Sequence, residues 1–420
     1  MEVLQLLPGV TLRFFRDTRF KQGALSLQFL RPMCREEAAL NALLPAVLLR
    51  GTEAHPDLRA ITLHLDDLYG AAVGALVRRI GDYQTTGLYC GFMEDKFALP
   101  GEEILRPMVD FLEELLLRPL LEKGVFPEDF VESEKKNLIS TIQSEKNDKR
   151  IYASAQLLKT MCKEDSFGLP RLGTAQEVEA ITPASLYRHY LTVLETSQLE
   201  IFYVGSAQPQ MLADLLKEKF SKIGGNIQAL PPQTPFHHCE KCEKVEKMDV
   251  SQAKLCLGFL TPITNRDEHF ASMQVMNTVF GSGMTSKLFM TVREKLSLCY
   301  AIGSSYYGAK GILTVSAGID AAREDTVRRE IFRQLEACRA GDITREELDA
   351  AKEAILSSLR TVHDSPGAIE NYYSTAALSG LSMTTAEYAA KVSAVTVADV
   401  AAAANSLEYH TGFFLKGGEE

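Results

Sequence analysis

Residues 280–320 organise the rest of this chain, and their sequence is FGSGMTSKLFMTVREKLSLCYAIGSSYYGAKGILTVSAGID. Gly281 and Gly283 can adopt backbone angles that are closed to other residues, which indicates a turn at the start. The apolar residues that follow are spaced as on one face of a helix, which we expect to end near Leu296. Ile312 to Ala317 alternates as a half-buried strand does. The stretch therefore predicts a loop, a helix, a turn and a strand.

Two side chains with binding chemistry, Arg293 and Tyr300, flank the predicted turn. Ser282 or Thr285 can cap the helix that carries Arg293. A guanidinium donates several hydrogen bonds in one plane and a phenol offers a donor and an acceptor, so the pair suits a peptide backbone or a carboxylate. Taken alone, the pair also fits a surface arginine on an amphipathic helix and a packing tyrosine.

The quoted stretch resembles the second domain of insulinase/pitrilysin-type peptidases, an inverted zincin family. The family pattern is a glycine-rich turn, SS/TS-K/R-LF, VREK and then L-x-Y, and this chain has GSGMTSKLF, VREKLSLCY and SAGID. The resemblance extends more weakly over almost the whole chain. It implies an α+β fold of two duplicated domains, each a largely antiparallel sheet with helices packed on one face, facing each other around a chamber.

A helix is predicted from Arg35 to Arg50, with acidic residues in its first turn and Gly51 as its stop. Pro45 lies inside this helix. An interior proline removes a backbone hydrogen bond and costs about 3 kcal/mol unless the helix kinks, so we expect a kink or a break at this position.

The same helix is where the family resemblance bears on catalysis. Active relatives carry H-x-x-E-H there, in which both histidines bind zinc and the glutamate is the general base. Alignment on Arg50-Gly51-Thr52 places Ala42, Pro45 and Ala46 at the His, Glu and His positions. None of these three side chains can bind zinc or accept a proton.

The third zinc ligand of the family lies on a later helix, seven residues after another acidic residue. The matching segment is ESEKKNLIST, which places Glu134 at the acidic position and Thr141 at the ligand. Neither H-x-x-E-H nor H-E-x-x-H occurs in the sequence. We therefore predict that this chain has no zinc site and no cofactor of its own, and that a partner chain holds the zinc.

The remaining pattern alternates strands and helices. We expect 10–15 and 24–30 to pair as a hairpin. Further strands are predicted at 76–80, 83–92 and 199–204, and further helices at 102–117, from Pro127 onward, and at 151–161, 183–193 and 209–220.

The plan of the first half recurs in the second. Matched order and spacing favour an old duplication over two domains that share propensities by chance. We place the domains at 1–224 and 249–420, with a proline-rich and then charged linker at 225–248. The matching segments are ALSLQF at 24–29 with KLCLGF at 254–259, PEDFVESEKKNLISTI at 127–142 with TREELDAAKEAILSSL at 344–359, and IFYV at 201–204 with FFLK at 413–416.

Composition limits the function classes. A chain of 420 residues, 46% of them hydrophobic, is enough for two or more cores. A net charge of −10 argues against a nucleic-acid binder, since a basic surface supplies most of that affinity. No segment approaches the roughly 18 apolar residues of a membrane span, and the N-terminus lacks a signal-peptide pattern. We expect a cytoplasmic protein that binds neither nucleic acid nor membrane, with reduced cysteines.

One cluster outside the family motifs has metal-ligand character. It is HHCEKC at residues 237–242, where Cys-x-x-Cys with adjacent imidazoles could close a zinc site. It is a single short cluster without a second pair of ligands to hold the geometry. We favour an ordinary linker over a structural metal site.

Two function classes remain open. In the first, the chain is the non-catalytic, substrate-binding subunit of a two-chain zinc metallopeptidase, similar to the mitochondrial processing peptidase and to bacterial heterodimeric members. The resemblance then implies that Arg293 and Tyr300 bind a peptide or protein substrate. Gly281 and Gly283 would let the backbone approach that peptide, and the partner would be a homologous H-x-x-E-H chain.

In the second class, the chain is a non-peptidase scaffold or binding protein, similar to the core subunits of respiratory complexes that descend from the same family. The chain also resembles a group of bacterial zinc-less proteins associated with the aminopentanol modification of elongation factor P. A stand-alone peptidase with an unrecognised site is a third hypothesis.

Overall fold

The computed structural model describes residues 1–236 and 240–418. His237, His238 and Cys239 of the predicted metal cluster lie outside the described residues. The strands are β1 (Glu2–Leu7), β2 (Val10–Arg16), β3 (Gln22–Pro32), β4 (Ala72–Ile80), β5 (Tyr83–Met93), β6 (Gln198–Gly205), β7 (Cys242–Lys247), β8 (Ala253–Leu260), β9 (Cys299–Tyr307), β10 (Ile312–Ile319) and β11 (Glu408–Lys416).

The helices that the sequence predicted between residues 35 and 220 correspond to α-helices whose ends lie within three residues of the predicted ones. A π-helix, Leu288–Lys295, lies within the segment 280–320. The α-helices are α1 (Arg35–Leu48), α2 (Leu58–Asp67), α3 (Leu105–Leu117), α4 (Glu128–Asn147), α5 (Lys149–Met161), α6 (Ala175–Glu179), α7 (Pro183–Thr196), α8 (Pro209–Lys219), α9 (Phe270–Phe280), α10 (Glu324–Arg339), α11 (Arg345–Thr361), α12 (Pro366–Ser379), α13 (Thr385–Ala394) and α14 (Val397–Asn405).

The chain forms two compact units, and each contains a segment from the other half of the sequence. Helix α5 belongs to unit 2, and α12 up to Thr375 belongs to unit 1. The domain boundaries at 224 and 249, which were placed from the repeated segments of the sequence, stay a prediction. Unit 1 comprises Met1–Gln143, Arg171–Pro232 and Val362–Thr375, and unit 2 comprises Ser144–Pro170, Gln233–Thr361 and Ala376–Glu420.

The sheet of unit 1 has the strand order β1-β2-β6-β3-β5-β4. Strands β2 and β6 are parallel, and the other neighbours are antiparallel. The predicted hairpin of β2 with β3 is wrong, because β6 lies between them. Seven of the eight residues of β6 are buried, so this strand is stable only with a neighbour on each side. Strand β2 forms its hairpin with β1 instead.

The sheet of unit 2 repeats this order as β7-β11-β8-β10-β9, and the described residues contain no counterpart of β1. Its β7 and β11 are parallel, as β2 and β6 are in unit 1. The sequence matches of β3 with β8 and of β6 with β11 therefore join strands in equivalent positions. The predicted α+β fold of two similar, largely antiparallel units is confirmed. The segment predicted as a linker includes β7, a charged and mostly exposed edge strand.

The main layer of helices packs on one face of each sheet. In unit 1, Leu25 and Leu27 of β3 join the large core that α1, α3, α7 and α8 complete. Ala24 points to the opposite face, where it packs with Ile369 and Tyr373 of α12. Alternate side chains of β3 thus pack against helices on opposite faces of the sheet. The helix on the second face is α12, which lies near the other end of the sequence.

Helix α1 continues through Pro45, so the expected break does not occur. A proline leaves the carbonyl group four residues earlier without its usual donor. Here that carbonyl belongs to Asn41, and it accepts a hydrogen bond from Thr86 Oγ1 at 2.8 Å. A side chain of β5 thus replaces the missing backbone donor. Among the described helices, none combines the length and the apolar character needed to cross a membrane.

Candidate functional site

The site segment begins at Gly281, where packing leaves no space for a side chain. The Gly281 N–H donates to Asn277 O at 2.9 Å, and its carbonyl oxygen accepts from Ser304 N at 3.0 Å. A Cβ atom here would lie 2.6 Å from Ser304 Oγ and 2.8 Å from Leu288 Cδ1. Glycine is therefore required by the close approach of the loop to β9.

Gly283 is required for a different reason, its backbone conformation. Its φ is +126°, which side chains rarely tolerate, although the space around it is open. Ser286 Oγ donates to Gly283 O at 2.7 Å and accepts from Phe289 N at 3.3 Å. The capping hydrogen bond is therefore made by Ser286, and the prediction of Ser282 or Thr285 is wrong because both lie further from Leu288, where the π-helix begins.

The helix that carries Arg293 is a π-helix. Its wider turn is visible at the end, where Leu296 N donates to Thr291 O and Leu298 N donates to Val292 O, each at 2.9 Å. Such segments are rare and occur frequently at functional sites. The prediction of a helix here is confirmed. The spacing of apolar residues did not indicate that it would be a π-helix.

The Arg293 side chain contacts two neighbours and remains partly exposed to solvent. Its guanidinium carbon lies 4.6 Å from the centre of the Phe289 ring, and its Nε lies 3.6 Å from Glu294 Oε1. The side chain is 41% exposed. Stacking on an aromatic ring orients the planar group and leaves its edge available for hydrogen bonds.

Tyr300 stands at an irregularity in the edge strand β9. Cys299 pairs with Ile319 and Ala301 pairs with Gly318, so Tyr300 is the extra residue of a β-bulge. Its side chain is 69% exposed. Bulges redirect a side chain and are common beside binding sites. The structure thus presents both Arg293 and Tyr300 to solvent, at the two ends of one turn.

Exposed apolar side chains lie in the same segment as the predicted pair, and the sequence interpretation missed them. Met284 lies in the loop, Met290 on the π-helix and Leu296 at its end, and all three are exposed. Apolar side chains grouped in this way commonly mark an interaction surface. Their signal was present in the sequence, as apolar residues that fall outside the buried face of the helix.

Cys299 is no nucleophile candidate in this geometry. Its side chain is buried, and burial raises the pKa of the thiol to about 11, against the opposing effect of Arg293. A thiol with that pKa stays protonated at neutral pH and is a poor nucleophile.

The positions that the family resemblance assigns to zinc lie in unit 1 on α1 and α4. Ala42 and Pro45 are buried, and Ala46 is partly buried. Thr141 is exposed, and its hydroxyl donates to Asn137 O at 2.9 Å. The three α1 side chains carry no atom that could bind a metal. Their assignment as a degenerate zinc site stays a prediction.

Glu134, at the acidic position of the family, has a cationic neighbour. Its Oε1 accepts from Arg50 at 3.4 Å, and Arg50 lies over the Phe130 ring at 5.5 Å. Within residues 1–236 and 240–418, no group of three or more His, Cys, Asp or Glu side chains is placed to hold a metal ion.

Comparison with known proteins decides the family. A sequence profile described as "Peptidase M16 inactive domain" matches residues 180–355. The chain is 30% identical over 412 residues to the "Probable inactive metalloprotease YmfF" of Bacillus subtilis, an alignment that covers 98% of this chain and 96% of the relative. This chain belongs to the M16 peptidase family. A second relative, the "Uncharacterized zinc protease YmxG" of Bacillus subtilis, is 29% identical over 205 residues, or 48% of this chain and 49% of the relative.

Solved structures match the whole chain. A conserved protein from Enterococcus faecalis superposes with a TM-score of 0.92 at 29% identity, covering 100% of this chain and 99% of that one. A peptidase M16 inactive domain from Pseudomonas fluorescens superposes with a TM-score of 0.81 at 18% identity, covering 100% and 98%. The predicted insulinase-type resemblance is confirmed at the level of the family and the fold.

Proposed function

We propose that this chain is the non-catalytic, substrate-binding subunit of a two-chain zinc metallopeptidase in the cytoplasm. Membership of the M16 family and similarity to a relative described as a probable inactive metalloprotease support a peptidase-like role without catalysis. The observation that carries the proposal is the exposed pair Arg293 and Tyr300, held by an aromatic stack and a bulge among exposed apolar side chains.

The two residues act by positioning the peptide. The Arg293 edge donates to a peptide carbonyl or carboxylate, and the Tyr300 hydroxyl donates or accepts one hydrogen bond. Met284 and Met290 supply apolar contact with the side chains of the substrate. Donors that are oriented before the substrate arrives lower the entropic cost of placing the scissile bond.

The partner in this proposal is a homologous chain that carries H-x-x-E-H. Zinc bound by that chain would activate water and polarise the peptide carbonyl. Similarity of this chain to relatives described as zinc proteases supports a partner with the same fold. The present chain then completes the peptide-binding chamber with its Arg293 and Tyr300 segment.

The test is recovery of the tagged full-length chain from its own cells, with identification of proteins retained in stoichiometric amount. A chain of similar size that contains H-x-x-E-H supports the proposal. Recovery of this chain alone, or with an unrelated enzyme, contradicts it and favours the scaffold hypothesis. About one equivalent of zinc in the pure chain, with chelator-sensitive hydrolysis, would instead establish a stand-alone peptidase.

The reconstituted pair then allows a direct test of the two residues. Arg293→Ala and Tyr300→Phe should each lower peptide cleavage by tenfold or more, which corresponds to about 1.4 kcal/mol of transition-state stabilisation. Arg345→Ala on α11 is the matched control, because that side chain is 90% exposed and its ion-pair partner, Asp349, is exposed as well. Equal rates for all three variants would overturn the role of the pair.

A further inference from the structure

A cavity of about 200 Å³ lies in unit 2 beside the site segment. Its floor is the face of the sheet that α5 partly covers, near the edge strand β9. The residues that line it include two cations and four residues with small side chains or none: Arg150, Lys254, Ala301, Gly303, Ser316 and Gly318.

The cavity exists because small residues meet at two positions of the strand register. Ala301 is paired with Gly318, and Gly303 is paired with Ser316. Helix α5 does not fill this space, since its residues Ala153 and Leu157 pack on β8 and β11 through Cys256, Phe413 and Leu415. The β9 and β10 end of this face is therefore left open.

Positive charge borders the cavity. Lys254 Nζ donates to the neutral amide oxygen of Gln252, and it lies 3.3 Å from the point that a Cβ on Gly318 would occupy. No carboxylate of the described residues lies within ion-pair distance of this ammonium. Burial lowers the pKa of Lys254, while the charge of Asp148 raises it. A cation that is partly removed from water and has no bound anion gains from an anion that enters the cavity.

The second cation, Arg150, stands in the first turn of α5. One of its terminal nitrogens lies 3.6 Å from Asp148 Oδ2, and its side chain is exposed. The Asp148 carboxylate also accepts from Arg150 N at 2.9 Å and from Ile151 N at 3.2 Å, which caps the helix. Cys256 adds no charge, because burial raises its pKa to about 12. The cations Arg150 and Lys254 therefore have Asp148 as their nearby carboxylate, and Asp148 already accepts hydrogen bonds from two backbone N–H groups.

The outer edge of β9 is bonded to the site segment at Ser304 and leads a peptide to this cavity at Ile302. Ser304 N donates to Gly281 O at 3.0 Å, so Ser304 directs its backbone groups away from β10. By the alternation of an antiparallel pair, Ile302 directs its N–H and C=O groups to the same edge. Tyr300 precedes Ala301 directly, about 3.8 Å away between Cα atoms. A strand added at this edge would pass the Tyr300 bulge and the cavity together.

We propose that this cavity binds the carboxylate side chain of an extended peptide, so that the chain prefers substrates with Asp or Glu beside the residue held at Tyr300. The inference rests on the proposed function, because it names the substrate class of the same segment. Lys254 supplies the partly buried charge and Arg150 the exposed one, and the small side chains leave the space that the acid occupies.

The experiment measures binding of labelled decapeptides to the full chain by fluorescence anisotropy. One glutamate is moved stepwise through an otherwise uncharged Ala, Val and Thr sequence, and a second series carries glutamine at the same positions. The expected result is one register at which the glutamate peptide binds about tenfold more tightly, or about 1.4 kcal/mol. Higher salt should reduce this preference.

Variants of the cavity separate its charge from its shape. Lys254→Met and Arg150→Met should each reduce the preference for glutamate while leaving the glutamine peptides unaffected. Ser316→Leu should abolish it by filling the cavity with both cations retained. Lys247→Met is the matched control, since that lysine lies on β7 at the other edge of the same sheet.

The outcomes distinguish this inference from the proposed function. Equal affinity for glutamate and glutamine peptides at every register overturns the acidic preference and leaves the peptide-binding role intact. If Arg293→Ala binds all peptides like the wild type while the glutamate preference persists, the Arg293 role fails and the cavity stands. Absence of binding by every peptide overturns both.

Discussion

Lys287 Nζ lies 2.9 Å from both carboxylate oxygens of Glu347, and the lysine side chain is only 9% exposed. This ion pair joins the residue before the π-helix to α11. It therefore holds the helix that carries Arg293 against the helical layer of unit 2.

Glu347→Gln should lower the free energy of unfolding by about 2 kcal/mol, because it leaves a nearly buried ammonium without its charged acceptor. Urea unfolding measures the change. The control is Asp349→Asn on the same helix, where the partner Arg345 is 90% exposed and the loss should stay within about 0.5 kcal/mol. Equal losses for the two variants would contradict a structural role for the Lys287 pair.

Gly281→Ala should destabilise the protein by about 1–3 kcal/mol, because its Cβ would lie 2.6 Å from Ser304 Oγ. Gly303→Ala on β9 is the control, since its Cβ would meet only Gly281 O, at 3.5 Å. Thermal unfolding compares the two. The close approach of loop and strand would be refuted if both variants unfolded at the same temperature.

The stack of Arg293 on Phe289 should contribute to peptide binding by orienting the guanidinium. Phe289→Leu is expected to weaken binding by about 0.5–1 kcal/mol. In an Arg293→Leu background, the same change should have no effect on affinity, and a double-mutant cycle by fluorescence anisotropy measures this coupling. A coupling free energy of zero would show that the ring does not act through Arg293.

Glu370 anchors α12 to the sheet of unit 1. It is fully buried, pairs with Arg78 at 2.9 Å and accepts from Ser26 Oγ at 2.7 Å. Glu370→Gln should cost about 3–5 kcal/mol by leaving Arg78 without its counter-ion. Joint replacement of Glu370 and Arg78 by methionine should cost less than the single change.

Chemical denaturation measures both Glu370 variants. Glu353→Gln, in a pair whose members are each 64% exposed, is the control with an expected loss under about 1 kcal/mol. A loss for Glu370→Gln no larger than for this control would mean that α12 is held by apolar packing alone.

His189 makes stability depend on pH. Burial, with a smaller effect of Arg31 in the same direction, lowers the pKa of His189 to about 4 against the opposing effect of Glu37. Its Nε2 lies 2.8 Å from Asn41 Oδ1. The unfolded chain binds a proton at a pKa of about 6.5, so the neutral folded form is favoured above that pH. Its contribution is complete above about pH 6.5 and is lost as the pH falls toward about 4.

The measurement is the difference in unfolding free energy between the wild type and His189→Gln as a function of pH. Other titrating groups are common to both proteins and largely cancel. The difference should shrink between pH 6.5 and 4.5. A constant difference over this range would mean that His189 has the same pKa in the folded and unfolded chains.

Local features of this protein could be predicted from the sequence because they depend on local patterns. The alternation at 24–30 and 312–317 placed β3 and β10, and Gly51 and Pro127 marked helix ends. The hairpin of β2 with β3 was wrong because strand neighbours are chosen by burial of β6, which is far away in sequence. Continuity of α1 at Pro45 depended on Thr86, a donor from another element.

The sequence by itself determined the family, the recurrence of similar segments in the two halves and the segment that carries Arg293 and Tyr300. Only the tertiary structure decided the π-helix, the bulge at Tyr300, the exchange of α5 and α12 between the units, and the cavity bordered by Lys254. Each of these depends on long-range contacts, such as the approach of Gly281 to Ser304 and the packing of α5 on β8. Apolar spacing determines which face of an element is buried, but it does not determine which distant element covers that face.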